Sequence, residues 1–172
     1  MILSKDDFTE VIKNTPLISI DLIIENREGK ILLGKRVNQP AKDYWFVPGG
    51  RIFKDETLQN AFSRTVYEEL GVKMEKKEAQ FQGVYEHFYN DNVFNDDFST
   101  HYIGLAHRIK LEDIVKTNDQ HGEYRWFEKD ELLKSENVHK YTKDYFNGKI
   151  TWQISYTGED NIVRFDHYFN RQ

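Results

Sequence analysis

A chain of 172 residues with 24 Lys and Arg against 29 Asp and Glu, a formal net charge of -5, fits one ordinary domain and argues against a sequence-independent grip on a nucleic-acid backbone. It has no cysteine, which excludes disulfides, thiolate metal sites and thiol nucleophiles, so a metal would sit on oxygen or nitrogen, as magnesium or manganese does. No run approaches the roughly 20 apolar residues of a membrane span, and the opening MILSKDDF lacks a signal-peptide layout, so a soluble, cytoplasmic protein with no membrane partner is expected.

No repeat, low-complexity run or linker divides the chain. Ser4, with Asp7 three residues on and Phe8, Val11 and Ile12 following, predicts a short capped helix ending near Asn14, before Pro16. LISIDLIIE (17–25) is β-branched and nearly all apolar, the pattern of a strand buried on both faces, and Asp21 stands out in its middle. NREGK makes a turn, and ILLGKR (31–36) returns as a second strand ending on Lys35 and Arg36. NQPAKDYWFVPGG predicts a loop with aromatic anchors, closed by a Pro-Gly-Gly corner.

From Glu56 or Thr57 the pattern turns helical: Leu58, Ala61, Phe62, Val66 and Leu70 recur at spacings of three and four, and Gly71 stands at the C-cap. QFQGVYEHFYN (80–90) and FSTHYIGLAHRIKL (98–111) alternate as strands, with the polar link between them expected to be a mobile loop. GEYRWFE (122–128) predicts another strand, and KDELLKSENVHKYTKDYFNG one or two closing helices. The stretch from Lys149 onward reads either as a strand pair or as a partly ordered tail.

Chemistry concentrates on the helix that ends at Leu70. Arg64, Thr65, Glu68 and Glu69 lie within about one turn, so Arg64 can brace Glu68 at i,i+4 while Thr65 and Glu69 form the neighbouring pair. Upstream, Gly49 and Gly50 leave backbone groups unshielded for a ligand or ion. Carbonyl and carboxylate are hard oxygen ligands, and magnesium combines a few of these with substrate phosphates, so a metal with a diphosphate is the natural reading. For an isolated Glu-Glu pair a solvated helix with one ion pair would suffice. In TNDQHGEYRW, His121 is a candidate general base, since the unperturbed pKa of an imidazole, about 6.5, suits that task, and Gln120 can offer the metal an oxygen; a loop histidine without a role is the plainer alternative.

The spacing joins these residues. From Gly50 the chain runs five residues to Glu56, seven more to Arg64, then Thr65, Val66, Tyr67, Glu68, Glu69, Leu70, Gly71 and Val72. This resembles the Nudix box, with Thr65 standing where the box has its first glutamate. The resemblance implies a single-domain α/β (α+β) Nudix fold, a mixed β-sheet sandwiched between α-helices over residues 1–147, with 148–172 a C-terminal extension of unknown role. It also implies a nucleoside diphosphate substrate and Mg2+. TPLISIDLIIEN, LLGKR, YWFVPGGRIFKDETL, QFQGVYEHFYND, THY, DQH, YRW and NVH are further similar to the GDP-mannose mannosyl hydrolases. That Nudix group cleaves the sugar C–O bond instead of the phosphoanhydride, and its box also lacks the first glutamate.

What this second resemblance implies is specific. Magnesium, with manganese as substitute, would be held by the Gly49 carbonyl, Glu69 and Gln120, with diphosphate oxygens and water completing the shell; Glu68 is a candidate for a second metal. His121 would be the base, Arg36 and Tyr102 would steady the departing diphosphate, and Arg51 and Arg64 would lie near the phosphates and sugar. Asp21 and His87 would contact the mannose, Phe8 and Asp7 the guanine, and the chain would form a homodimer around a small-molecule GDP-sugar. Structural alternatives stand beside these roles: Arg64 as a brace for Glu68, Tyr102 and His87 as packed aromatics, Phe8 as helix packing. Two other functions also remain open, a conventional pyrophosphatase, favoured by Glu56 and Glu68, and a non-catalytic nucleotide-sugar module. The preferred GDP-hexose is not specified by the sequence.

Overall fold

The computed structural model describes residues 3–94, 97–112 and 121–148, His121 by its backbone, and beyond them the backbone of two strands. Helix α1 (Lys5–Asn14) begins where Ser4 Oγ accepts the Asp7 amide at 3.1 Å, which satisfies one of the donors that a helix start leaves open. Strands β1 (Leu17–Glu25) and β2 (Ile31–Arg36) occupy the two apolar runs, and the turn between them is tied by Asn26 Oδ1, which accepts the amides of Glu28 and Lys30.

The segment expected to be a plain loop contains two short strands. Strand β3 (Trp45–Phe46) pairs with β2, and β4 (Gly49–Arg51) pairs with β1. Pairs this short carry no alternation, so only the partner strands reveal them. Helix α2 (Leu58–Leu70) is capped by Thr57, whose Oγ1 accepts the Asn60 amide. It stops at Gly71, where φ of 73° is cheap only for glycine and the amide closes on the Tyr67 carbonyl.

Strands β5 (Gln80–Tyr89) and β6 (Thr100–Lys110) pair antiparallel. The link between them, expected to be mobile, is pinned in its described part: buried Asn92 donates to the Phe98 carbonyl and accepts the Phe94 amide, and Thr100 Oγ1 donates to the Asp91 carbonyl. Strand β7 (His121–Phe127) adds to β2, and two short helices follow, α3 (Lys129–Lys134) and α4 (Lys140–Asp144). Strands β8 (Gln153–Tyr156) and β9 (Val163–Asp166) make a separate antiparallel ladder, so over these residues the strand-pair reading of the last stretch holds.

The main sheet runs β3-β2-β1-β6-β5, with β1 and β6 parallel and the other pairings antiparallel. Alternation along β1 divides the core between its faces. Ile20, Leu22 and Ile24 pack with Ala61, Phe62, Val66 and Leu70 of α2, while Ile23 packs on the opposite face with Leu132, Val138, Tyr141 and Tyr145 from the closing helical segment. Each fully buried Phe or Leu of this kind contributes about 1.5–3 kcal/mol relative to exposure. The result is a mixed sheet between helices in one domain, as the box resemblance implies. Along its β2 side, β1 changes partner: it meets β4 at Ser19, Ile20 and Asp21, and β2 only at Glu25. The sheet therefore splits beside Asp21.

Candidate active site

A cavity of about 340 Å³ opens at this split. It is lined by Phe8 from α1, Asp21 from β1, Arg36 from the end of β2, Gly49 and Arg51 from β4, His87 from β5 and Tyr102 from β6. Seven of the residues singled out in the sequence thus meet in one place, though they come from six elements. Between Lys35 and Arg36 the β2–β7 ladder shifts register, a bulge at the rim of the site, and His121 is the backbone partner of Arg36 across it. Gln120 and the His121 side chain lie outside the described residues.

Asp21 is buried without being unpaired. Its Oδ1 accepts from Ser19 Oγ at 3.1 Å, and its Oδ2 accepts from the Tyr145 hydroxyl at 2.7 Å. Burial pushes its pKa up, while the two donors pull against that shift. His87 stacks on Tyr141 with ring centroids 4.4 Å apart, and its Nε2 lies 3.3 Å from the Tyr145 oxygen. Burial depresses its pKa to about 4, so the imidazole is neutral near neutrality. Tyr102, half-buried in the cavity wall, has its pKa raised by desolvation and keeps its proton.

The cationic side is built differently. Arg36 Nε donates to the Pro40 carbonyl at 2.8 Å, which steers its guanidinium at the cavity rim. The Arg51 guanidinium lies over the Phe8 ring, 4.0 Å from its centroid. Arg64 does not line the cavity: its Nε and Nη2 grip Glu56, its Nη1 reaches Glu68 at 2.8 Å, and Nη2 also donates to the Arg51 carbonyl. The expected brace to Glu68 exists, but Glu56 is the bidentate partner, and Arg64 acts on the site by holding the backbone of Arg51. Asp7 accepts from Ser4 Oγ in the first turn of α1 and is not among the lining residues.

The NUDIX domain family model matches residues 15–146. The chain belongs to the Nudix family. It is 38% identical over 143 residues to the low-salt glycan biosynthesis protein Agl8 of Haloferax volcanii, spanning 83% of this chain and 87% of that one. It is 33% identical over 139 residues to the ADP-ribose pyrophosphatase of Methanocaldococcus jannaschii, 78% of this chain and 75% of that one. Among solved structures, a MutT protein from Methanosarcina mazei superposes with a TM-score of 0.64 at 25% identity, covering 78% of this chain and 94% of its own.

Nudix hydrolases generally use a divalent cation such as Mg2+, and the donor set of this Nudix domain fits one. Glu69, buried in the middle of the α2 packing face, receives the Tyr124 hydroxyl at a long 3.5 Å. One turn before it, Thr65 touches the glycine corner: a Cβ on Gly50 would come 3.2 Å from Thr65 Oγ1. Glu69 and the Gly49–Gly50 backbone therefore share one side of the helix. Magnesium takes one or two protein carboxylates and fills its shell with carbonyl, water and substrate phosphate, and Glu69 beside the glycine corner suits that donor chemistry. Thr65 Oγ1 is buried with no hydrogen-bond partner.

Several positions of the candidate site escaped the sequence. Ser19, Tyr89 and Thr100 line the cavity, as do Asn38 and Gln39 of the loop after β2. Tyr145 reaches Asp21 from 124 residues away. A serine or tyrosine within an apolar stripe has no local mark to separate it from core packing, and Asp21 itself was the only available signal, because a buried carboxylate demands a donor.

Proposed function

We propose that this Nudix hydrolase splits a GDP-hexose, GDP-mannose above all, into GDP and free sugar by attack of water at the anomeric carbon. The observation that carries the reading is the pairing of unlike walls in one cavity. Asp21 and His87 supply neutral-ligand chemistry suited to sugar hydroxyls, and Arg36 and Arg51 supply the cations that a diphosphate needs. The relative named for glycan biosynthesis and the departure from the box at Thr65 point the same way.

As the C1–O bond lengthens, negative charge grows on the diphosphate. Arg36 and Arg51 meet that charge from fixed positions, which is where electrostatic catalysis is strongest. Tyr102, protonated throughout, donates toward the departing oxygen. A magnesium ion held by the Gly49 carbonyl, Glu69 and Gln120 would supply Lewis-acid charge to the same group. His121 takes the proton of the water that attacks the opposite face of C1, and a single displacement of this kind inverts the anomeric centre. A His121→Gln variant is expected to lose on the order of 100-fold in turnover.

The alternative is attack on phosphorus, giving GMP and a sugar 1-phosphate. It is favoured by the retained acids Glu56 and Glu68 and by a relative named as an ADP-ribose pyrophosphatase. Turnover of GDP-mannose in oxygen-18 water separates the two: label in mannose with GDP as co-product upholds attack on carbon, and label in phosphate with GMP refutes it. Thermal stabilisation by GDP-mannose with no turnover would favour a binding module instead.

A further inference from the structure

Tyr145 belongs to no motif and is not among the residues lining the cavity described above, yet its hydroxyl touches both proposed sugar ligands. It lies 2.7 Å from Asp21 Oδ2 and 3.3 Å from His87 Nε2. A phenol has one proton, so it donates to one of these two partners only. The shorter contact, to a carboxylate, is the stronger hydrogen bond. Ser19 Oγ donates to the other oxygen of the same carboxylate, so Asp21 is arranged as an acceptor at both oxygens. With its proton directed to Asp21, the Tyr145 oxygen turns only lone pairs toward His87. The 3.3 Å contact then requires the proton of His87 on Nε2, which leaves Nδ1 bare.

We propose that Tyr145 is a positioning residue: its hydroxyl holds Asp21 in one orientation and locks His87 in the Nε2–H tautomer, so that the site offers acceptors, not donors, to a ligand's hydroxyl groups. The relay runs from His87 Nε2–H to the Tyr145 oxygen and from the Tyr145 O–H to Asp21. The sugar as the ligand rests on the function proposed above; the tautomer does not.

The surroundings fix Tyr145 as firmly as it fixes its partners. Gln82 Nε2 donates to its backbone carbonyl at 2.6 Å, and Gln82 Oε1 accepts from Arg108, which pairs with Glu25. The ring sits edge-on to Tyr85 at 4.7 Å. Gly104 leaves the space that Asp21 occupies, because a Cβ there would collide with Asp21 Oδ2. His87 is clamped from its other side by Tyr141.

The test is long-range proton–nitrogen NMR of the histidines in ligand-free protein near neutral pH, with His87 assigned by loss of its signals in His87→Gln. The expected result is a protonated Nε2 and a bare Nδ1 in the wild type, and a mixture of tautomers in Tyr145→Phe. A protonated Nδ1 in the wild type reverses the relay and overturns the proposal, even if Tyr145→Phe does not fold. So does an unchanged His87 signature in a folded Tyr145→Phe.

A kinetic readout separates positioning from general damage. Tyr145→Phe is expected to raise KM for GDP-mannose about 10-fold while binding of GDP alone changes less than about twofold, the size of effect one lost hydrogen bond to a charged group produces. Equal losses for GDP and GDP-mannose would mean a merely structural tyrosine and would overturn the proposal. If the NMR signature is as expected and no GDP-sugar is turned over, the relay stands and the proposed function fails.

Discussion

Arg64 and Glu56, eight residues apart, form a two-pronged ion pair, Nε to Oε1 at 2.7 Å and Nη2 to Oε2 at 2.8 Å. The pair fastens α2 to the segment after β4, and Glu56 also accepts the Phe53 amide, so the chain leaving β4 at Arg51 is braced from both sides. Arg64 lowers the pKa of the Glu56 carboxyl, so this stability is present above the unfolded carboxylate value and is lost as pH falls through the depressed folded one.

Removing one prong of this pair should therefore cost stability and binding together. For the partly exposed pair we expect Glu56→Gln to destabilise by about 1–2 kcal/mol, a Tm fall of about 2–8 °C. Arg64→Lys, which keeps the charge and loses the fork, should fall nearly as far. Calorimetry of both variants checks this, and a lysine variant as stable as wild type would show that charge alone is enough.

Thr65 makes a second case. Its hydroxyl is buried beside Gly50 without a partner. Burying such a group is unfavourable, so Thr65→Val is expected to leave stability unchanged or raise Tm by about 2–4 °C, with metal affinity intact. A loss of magnesium affinity in that variant, read by titration of metal into the protein with GDP present, would instead make the hydroxyl a ligand.

Glu69 is the described carboxylate on which metal binding should depend. Glu69→Gln keeps the shape and the Tyr124 contact while removing charge, and should weaken magnesium binding at least about 10-fold, with turnover falling at least as far. Glu68→Gln, on the exposed side of α2 and engaged with Arg64, should change metal affinity by less than about twofold. The reverse ranking would move the metal to Glu68.

Acid should begin to loosen the fold below the ordinary histidine value. Burial depresses His87 and His139 to about 4 from 6.5 and lowers His107 as well. Below 6.5 the unfolded chain binds protons that the folded one refuses, so stability is full above that value and declines between 6.5 and about 4. Asp21 works in the opposite sense, since its raised folded pKa favours the folded state as protons bind, but three histidines oppose one acid. We expect Tm to drop by about 5 °C or more over this window, and His107→Phe, which fits between Phe62 and Phe81, to shallow the slope. A Tm independent of pH over the window would refute this account.

What the sequence disclosed follows from how locally each feature is encoded. The helices with caps at Ser4 and Thr57 and the stop at Gly71 depend on residues within a turn, and they are where spacing placed them. The box brought Gly50, Glu56, Arg64 and Glu69 into view because their positions are fixed by one helix and its approach. Strands β3 and β4 were invisible because two- and three-residue pairings exist only through β1 and β2. Glu56 displaced Glu68 as the main partner of Arg64 for a similar reason: the i,i+4 rule sees along a helix and not across the loop that folds back on it. The partners of Asp21 were half legible, Ser19 two residues away and Tyr145 far beyond any window.

That long reach has a consequence for the order in which the chain is made. Synthesis delivers Asp21 before Tyr145, which lies 124 positions further along the chain. Until the late tyrosine emerges from the ribosome, the central strand carries a carboxylate with only Ser19 to satisfy it, and burying it in that state is costly. Favourable burial of Asp21 and completion of the site therefore wait on the same residue, Tyr145.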